Sequence, residues 1–312
     1  MEKLAGEWAW STEPIILPLA YDAREWGAAY LALYLSECTG APLHALHVWF
    51  PGLKEDEAFL HRVRARAQRL GISLEVKELE GRSPNKRQIA RQIVLYASQV
   101  GAQAIIMAGH KEGVLTHLLG RVSDTVAKLA ECRVLIAESR TMAEEKLASP
   151  RRLLVAYTKA PLDPEPLIVA AAMTSSAWSP GLEIWAVRFV KVPPTVPLDS
   201  EELRRALRGL EKDFNAWISE ATRALGRVII PHVQPVRELG ADIASYARDQ
   251  GMDMILLPWG RPSRLRALGR PDDVQLVERA PCPVALVFGP KRRGLSQEVR
   301  GPALLQPWTL KA

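Results

Sequence analysis

The sequence predicts an α/β protein of two tandem halves, each built on parallel strands joined by crossover helices. Three observations predict it. Short apolar runs bounded by turn residues alternate with amphipathic stretches, as where Ala104–Met107 and Val134–Ala137 flank a helical segment, and such runs read as buried parallel strands. The alternation restarts after a polar segment, Arg140–Pro150. Residues of the two copies then differ by one constant: Ile93 and Ile243, Tyr96 and Tyr246, Ala97 and Ala247, Gly101 and Gly251, Ile105 and Ile255, and Cys132 and Cys282 are each 150 apart, which chance does not supply.

In the first half, Pro14–Ala20 reads as a strand, with Pro18 tolerable only near its end. Asp22, three residues before Glu25, is placed to cap a helix whose Trp26, Tyr30, Leu33 and Tyr34 recur at helical spacing and so face the core. Leu43–Phe50 is a second strand, Asp56–Leu70 a helix with an arginine-rich outer face, and Ile72–Leu79 a third strand. Ser83-Pro84 starts the next helix, since proline suits a first helical position, and that helix buries Ile89, Ile93, Tyr96, Ala97 and Val100. The second half repeats the order: strands at 151–158, 182–190, 227–236, 254–258 and 284–288, with helices at 163–177, 200–225, 239–250 and 272–279. Upstream the offset falls to near 138, which puts a longer connection around Val192–Glu202. The expected units are residues 1–140, 150–290 and a C-terminal tail at 291–312.

Composition bounds the function. A chain of 312 residues with 48% hydrophobic and 24% charged residues buries real cores. No apolar stretch is long enough for a membrane span and the first residues do not form a basic, apolar-centred leader, so the expected location is cytoplasmic. Cys38, Cys132 and Cys282 are an odd number in apolar surroundings and read as free thiols in the core. A net charge of +6, spread over helices that also carry glutamate, suits a small anionic ligand and gives no basis for a specific nucleic-acid partner.

In parallel sheets ligands bind outside the carboxyl ends of the strands, where glycines and a helix N-terminus admit phosphate. That directs attention to the glycine-broken loop 108–123 after the fourth strand. With five strands and four helices per half, and the closing segment Ala280-Pro-Cys-Pro-Val-Ala-Leu-Val, each half resembles the universal stress protein family. The resemblance spans Pro14–Ser139 and Arg151–Gly289. It implies two tandem doubly wound five-stranded parallel sheets in order 3-2-1-4-5, packed about a pseudo-two-fold axis through their last strands, Val134–Ala137 against Val284–Val287.

The resemblance also implies a site. Members that bind ATP carry an Asp ending strand one, then Gly-x-x-Gly, nine residues, Gly-Ser/Thr and Val-Ser/Thr after strand four. Here Val48, Gly109, Gly113, Gly120, Arg121, Val122 and Ser123 are the matching nucleotide-binding candidates, with ATP or another adenine nucleotide as ligand and no metal. Val187, Gly260, Arg261, Gly269 and Arg270 are their counterparts, a second anion site. The motif departs from the family: Ala20 and Thr158 stand where the strand-one Asp is expected, the first Gly appears as Ala108 or is displaced by one to Gly109, the loop to Gly120 is shorter, and Arg121 and Arg270 replace the small hydroxyl residue. Arginine binds phosphate bidentately but fills the space of a triphosphate chain.

Other chemistry finds little footing. His44 and His47 are an odd number apart on a strand and so face opposite ways. His110 and His117 lie in the glycine loop and read as solvated. Gly289–Gly294 has P-loop spacing but continues Leu-Ser, not Lys-Ser. Arg261, Arg264, Arg266 and Arg270 gather at the mouth of the second crevice, and the basic tail carries Trp308. No catalytic set emerges, so the sequence reads as a stress-response-type small-ligand or adenine-nucleotide binding protein with a degenerate ATP motif, with at most slow ATP hydrolysis. The alternative is an interaction module that binds no nucleotide, acting on a protein partner or as a homodimer, for example as a soluble regulator of a membrane transporter.

Overall fold

The computed structural model describes residues 9–20, 25–50, 57–81, 85–109, 121–138, 150–175, 181–260 and 271–291, by backbone only at 57, 121 and 271–274. The first half runs β1 (Ile15–Leu19), α1 (Trp26–Thr39), β2 (Leu43–Trp49), α2 (Glu57–Arg69), β3 (Leu74–Glu80), α3 (Lys86–Gln99), β4 (Ala104–Ala108), α4 (Arg121–Leu129), β5 (Arg133–Glu138). The second runs β6 (Arg152–Tyr157), α5 (Glu165–Met173), β7 (Glu183–Lys191), α6 (Glu201–Leu225), β8 (Ile229–Val236), α7 (Leu239–Asp249), β9 (Met254–Pro258), α8 (Pro271–Arg279), β10 (Val284–Phe288). Strands and helices fall where hydrophobic periodicity puts them. The start of α3 differs: its cap is Asn85, whose side chain accepts from the Arg87 amide at 2.9 Å, so regular helix begins two residues beyond Pro84.

All ten strands form one sheet in the order β3-β2-β1-β4-β5-β10-β9-β6-β7-β8. Each half contributes the order 3-2-1-4-5 and is parallel throughout. The halves join where β5 and β10 run antiparallel, Val134 opposite Phe288 and Glu138 opposite Val284, the relation a two-fold axis requires. Pairing covers two largely apolar edges, Val134–Ala137 and Val284–Phe288, that would otherwise be bare. The outer edges differ in character: β3 alternates glutamate and lysine with apolar residues, and β8 carries Pro231 and Pro235, both means of discouraging further strand addition.

Two apolar layers run unbroken through the junction. One lies beneath α1, α2, α5 and α6 and includes Leu135, Ala137, Ala285 and Val287; the other lies beneath α3, α4, α7 and α8 and includes Val134, Ile136, Val284 and Leu286. The halves are tied by polar contacts as well. Tyr34 on α1 donates its hydroxyl to the carbonyl of Met173 at the end of α5 (3.1 Å). Arg133 of β5 donates through Nε to Glu165 at the start of α5 (2.6 Å), lies 5.5 Å from the ring of Trp10, and bonds the Ala9 carbonyl. Cys38 and Cys282 are buried free thiols, while Cys132, expected in the core, is partly exposed.

The repeat holds in detail. Gly101 and Gly251 both adopt positive φ, 65° and 61°, in the turns after α3 and α7, a conformation that costs glycine nothing. Ile93 and Ile243 and Ile105 and Ile255 are buried alike. Trp26, Tyr30 and Tyr34 pack against the α1 layer without being fully enclosed.

Candidate functional site

The carboxyl ends of β1 and β4 meet at the point where strand order reverses, so a crevice there is a property of the topology. Val48, near the end of β2, is half-buried against the α3 layer. Gly109 directly follows β4, and its amide donates to the Ala137 carbonyl at 2.9 Å, extending the β4–β5 ladder by one residue. Val122 and Ser123 lie in the first turn of α4, Val122 against the core and Ser123 only 2% exposed. The structure therefore brings Val48, Gly109, Val122 and Ser123 to one end of one sheet. Gly113, Gly120, Arg261, Gly269 and Arg270, with His110, His117, Arg264 and Arg266, lie outside the described residues, as do the Arg121 side chain, Asp22, and the tail beyond Lys291.

Two buried carboxylates at this end were not legible as site residues. Ala20 has no carboxylate to offer at the end of β1, but Glu25 supplies one from the start of α1: its Oε1 and Oε2 accept from the Ala20 amide at 2.8 and 3.0 Å, and the residue is 4% exposed. The sequence places Glu25 beside a helix cap, whereas its side chain turns back to the strand. The second is Glu138, which ends β5 and is also 4% exposed. Its carboxylate packs against Gly109 so closely that a Cβ on Gly109 would stand 2.7 Å from the Glu138 Cδ. Gly109 is needed for that approach.

The histidines of β2 are structural. His44 and His47 do face opposite layers: Nδ1 of His44 lies 2.9 Å from the Tyr96 hydroxyl and its Nε2 3.3 Å from Glu75, while Nδ1 of His47 lies 2.8 Å from the Leu19 carbonyl. Burial holds the His44 imidazole below its ordinary pKa, against the opposing pull of Glu75 and with a smaller contribution from Lys77. Among the described residues no group of three or more histidines, cysteines or carboxylates is placed to hold a metal.

The second crevice is built differently. Strand register makes Val187 the counterpart of Leu46 rather than of Val48, because Ile15 pairs with Leu43 and Ala104 as Leu153 pairs with Ile184 and Met254. Val187 is accordingly 0% exposed and belongs to the core, so it offers no surface to an anion and is corrected as a site residue. Trp259 stands where Gly109 stands: its amide donates to the Val287 carbonyl at 2.8 Å, the same bond at the same offset, and its indole packs on the α7 and α8 layer. Gly260 follows it, exposed and with open space on its Cβ side. Phe288 takes the place of Glu138 and is fully buried.

Residues 15–138 match the model of the universal stress protein family. The first half of the chain is a universal stress protein domain. Solved structures extend the likeness to both halves. A universal stress protein from Archaeoglobus fulgidus DSM 4304 superposes with TM-score 0.53 at 15% identity, over 89% of this chain and 97% of that one. A putative universal stress protein from Pseudomonas aeruginosa UCBPP-PA14 gives 0.54 at 15% identity, over 90% and 94%, and a functionally unknown protein from Pseudomonas aeruginosa PAO1 gives 0.54 at 13%, over 93% and 95%. At such identities the likeness is one of fold, and the fold is the tandem universal stress protein arrangement. No curated protein matches the chain. No helix among the described residues is long and apolar enough to cross a membrane.

Proposed function

We propose that the chain is a small-ligand binding protein of the universal stress protein type whose first crevice takes an adenine nucleotide bearing few phosphates. The observation that carries this reading is the contrast at one position: Gly109 brings no side chain of its own to the end of β4 and takes the Glu138 carboxylate against it, where Trp259 places an indole in the other half. Ser123 and the backbone amides of the first turn of α4 lie at the same end of the sheet, and a helix N-terminus favours a negatively charged group.

The charge of the ligand follows from Glu138. A carboxylate packed on Gly109 repels each phosphate brought toward the loop, and in a partly desolvated crevice that repulsion is weakly screened. A base, a ribose and one phosphate meet this less than a triphosphate does. The same reading makes the protein a binder, with at most slow hydrolysis of ATP, since no described residue at the crevice is arranged as a nucleophile with its base.

Calorimetric titration of the full chain with adenosine, AMP, ADP and ATP tests it, alongside Glu138→Gln. The expected order is AMP tighter than ADP and ADP tighter than ATP, with Glu138→Gln narrowing the gap between AMP and ATP by about tenfold. ATP binding tighter than AMP in the wild type, or a selectivity that Glu138→Gln leaves untouched, overturns it.

A further inference from the structure

Among the described residues, Arg188 of β7 is a side chain in the second sheet whose hydrogen-bonding capacity the fold leaves partly unused. Its register partners are Tyr157 on β6 and Val233 on β8. These two, with Ala186 and Val190 two residues either side on its own strand, belong to the layer beneath α5 and α6. The guanidinium is thus set among apolar neighbours. Nη1 is completely buried and has no hydrogen-bond partner, and among the described residues Arg188 makes no ion pair. The hydroxyl of its register partner Tyr157 is already used, donating to the Asp163 carbonyl at 2.9 Å.

The equivalent position in the first half shows what a satisfied residue looks like there. His47 pairs with Leu19 as Arg188 pairs with Tyr157, and its Nδ1 contacts the Leu19 carbonyl at 2.8 Å. Arginine in this place carries a permanent charge, and the donors of Nη1 are left unmet while the rest of the half-buried side chain reaches toward solvent. A buried cation without a counter-charge costs free energy that a folded protein ordinarily avoids by pairing it. Burial alone brings its pKa down to about 10, with no carboxylate acting to raise it.

We propose that Arg188 is the anchor of a second ligand site, one that takes a small oxyanion, the phosphate or carboxylate group of a small molecule, at the carboxyl end of β6 and β7. The planar fork of the guanidinium suits bidentate capture of either group, and strand ends of parallel sheets are where such ligands gather. Val190, half-buried two residues along the same strand, gives the organic part of the ligand an apolar surface to lie against. This site is on the opposite face of β7 from Val187 and shares nothing with the crevice of the first half. The two halves would then hold two different ligands.

The test uses the full chain and two probes, sodium phosphate and sodium acetate, each titrated by calorimetry at ionic strength matched with sodium chloride. Wild type should bind one or both saturably, and whichever binds identifies the oxyanion. Arg188→Leu should weaken that binding by about tenfold or more, the loss expected for a charge-assisted hydrogen bond. In chloride alone its unfolding midpoint should equal or exceed the wild type's, because the substitution removes an uncompensated buried charge. Arg188→Lys, which keeps the charge without the fork, should fall between. Absence of saturable binding of both probes overturns the proposal, as does equal binding by wild type and Arg188→Leu. A drop in the chloride midpoint of Arg188→Leu would show that the guanidinium is already satisfied, and overturns it too.

Discussion

Gly109 and Trp259 occupy the same place in the two halves, each donating its amide to the carbonyl of the adjoining last strand, at 2.9 Å to Ala137 and 2.8 Å to Val287. One ladder position therefore ends in bare backbone beneath a carboxylate, and its twin ends in an indole. That difference separates the two crevices more sharply than the surviving glycines of the motif do.

Gly109→Ala should be costly for this reason. Its Cβ would collide with the buried Glu138 carboxylate, which is confined at 4% exposure and has little room to retreat. A loss of roughly 1–3 kcal/mol is expected, the range for overpacking a filled site, together with weakened nucleotide binding. Urea unfolding of Gly109→Ala beside Gly109→Ala/Glu138→Ala checks it: the double variant should recover much of the loss, and recovery of none would place the strain elsewhere.

The Arg133–Glu165 pair spans the junction of the halves, with side chains 11% and 6% exposed. Removing one member of a buried pair strands the other, at a cost of roughly 3–5 kcal/mol. Arg133→Ala should lower stability by that order, adding the loss of its stacking on Trp10, whereas Arg133→Ala/Glu165→Ala should cost less than the sum of the single changes. Additive costs in denaturant unfolding would mean that the pair is not coupled.

His44 gives the fold a mild acid sensitivity. Its pKa is lowered in the folded state, first by burial, while unfolding returns it to its ordinary value near 6.5. The unfolded chain then binds more protons, so the stability His44 contributes is present above about 6.5 and is lost as pH falls through the lowered folded value. Unfolding midpoints measured across that window should decline less steeply for His44→Gln than for wild type. Identical slopes would remove His44 as the cause.

The tandem architecture was legible because it is written in repetition. A constant offset of 150 between apolar residues fixes both sheets at once, and pairing β5 with β10 follows from two apolar edges that need cover. The upstream offset was harder to use. The step between Ile15 and Leu153 is smaller than that between Leu43 and Ile184, so Val187 was matched to Val48 when register matches it to Leu46. The carboxylates of Glu25 and Glu138 were invisible for a different reason: a glutamate at a helix start or strand end reads as solvated, and only the backbone geometry around Ala20 and Gly109 turns each inward. Arg188 likewise sits in an apolar run, where nothing in the sequence distinguishes a buried arginine from one that reaches water.

An adenine nucleotide of low charge in the first crevice is the proposal most open to direct measurement. Native mass spectrometry of the full chain mixed with equimolar AMP, ADP and ATP measures that directly, because the bound mass identifies the nucleotide and the competition ranks the three. The predicted spectrum shows one nucleotide per chain, with AMP the most abundant adduct and ATP the least. A spectrum dominated by the ATP adduct, or one in which no nucleotide is retained, would contradict it, and the second result would leave the chain to be understood as an interaction module.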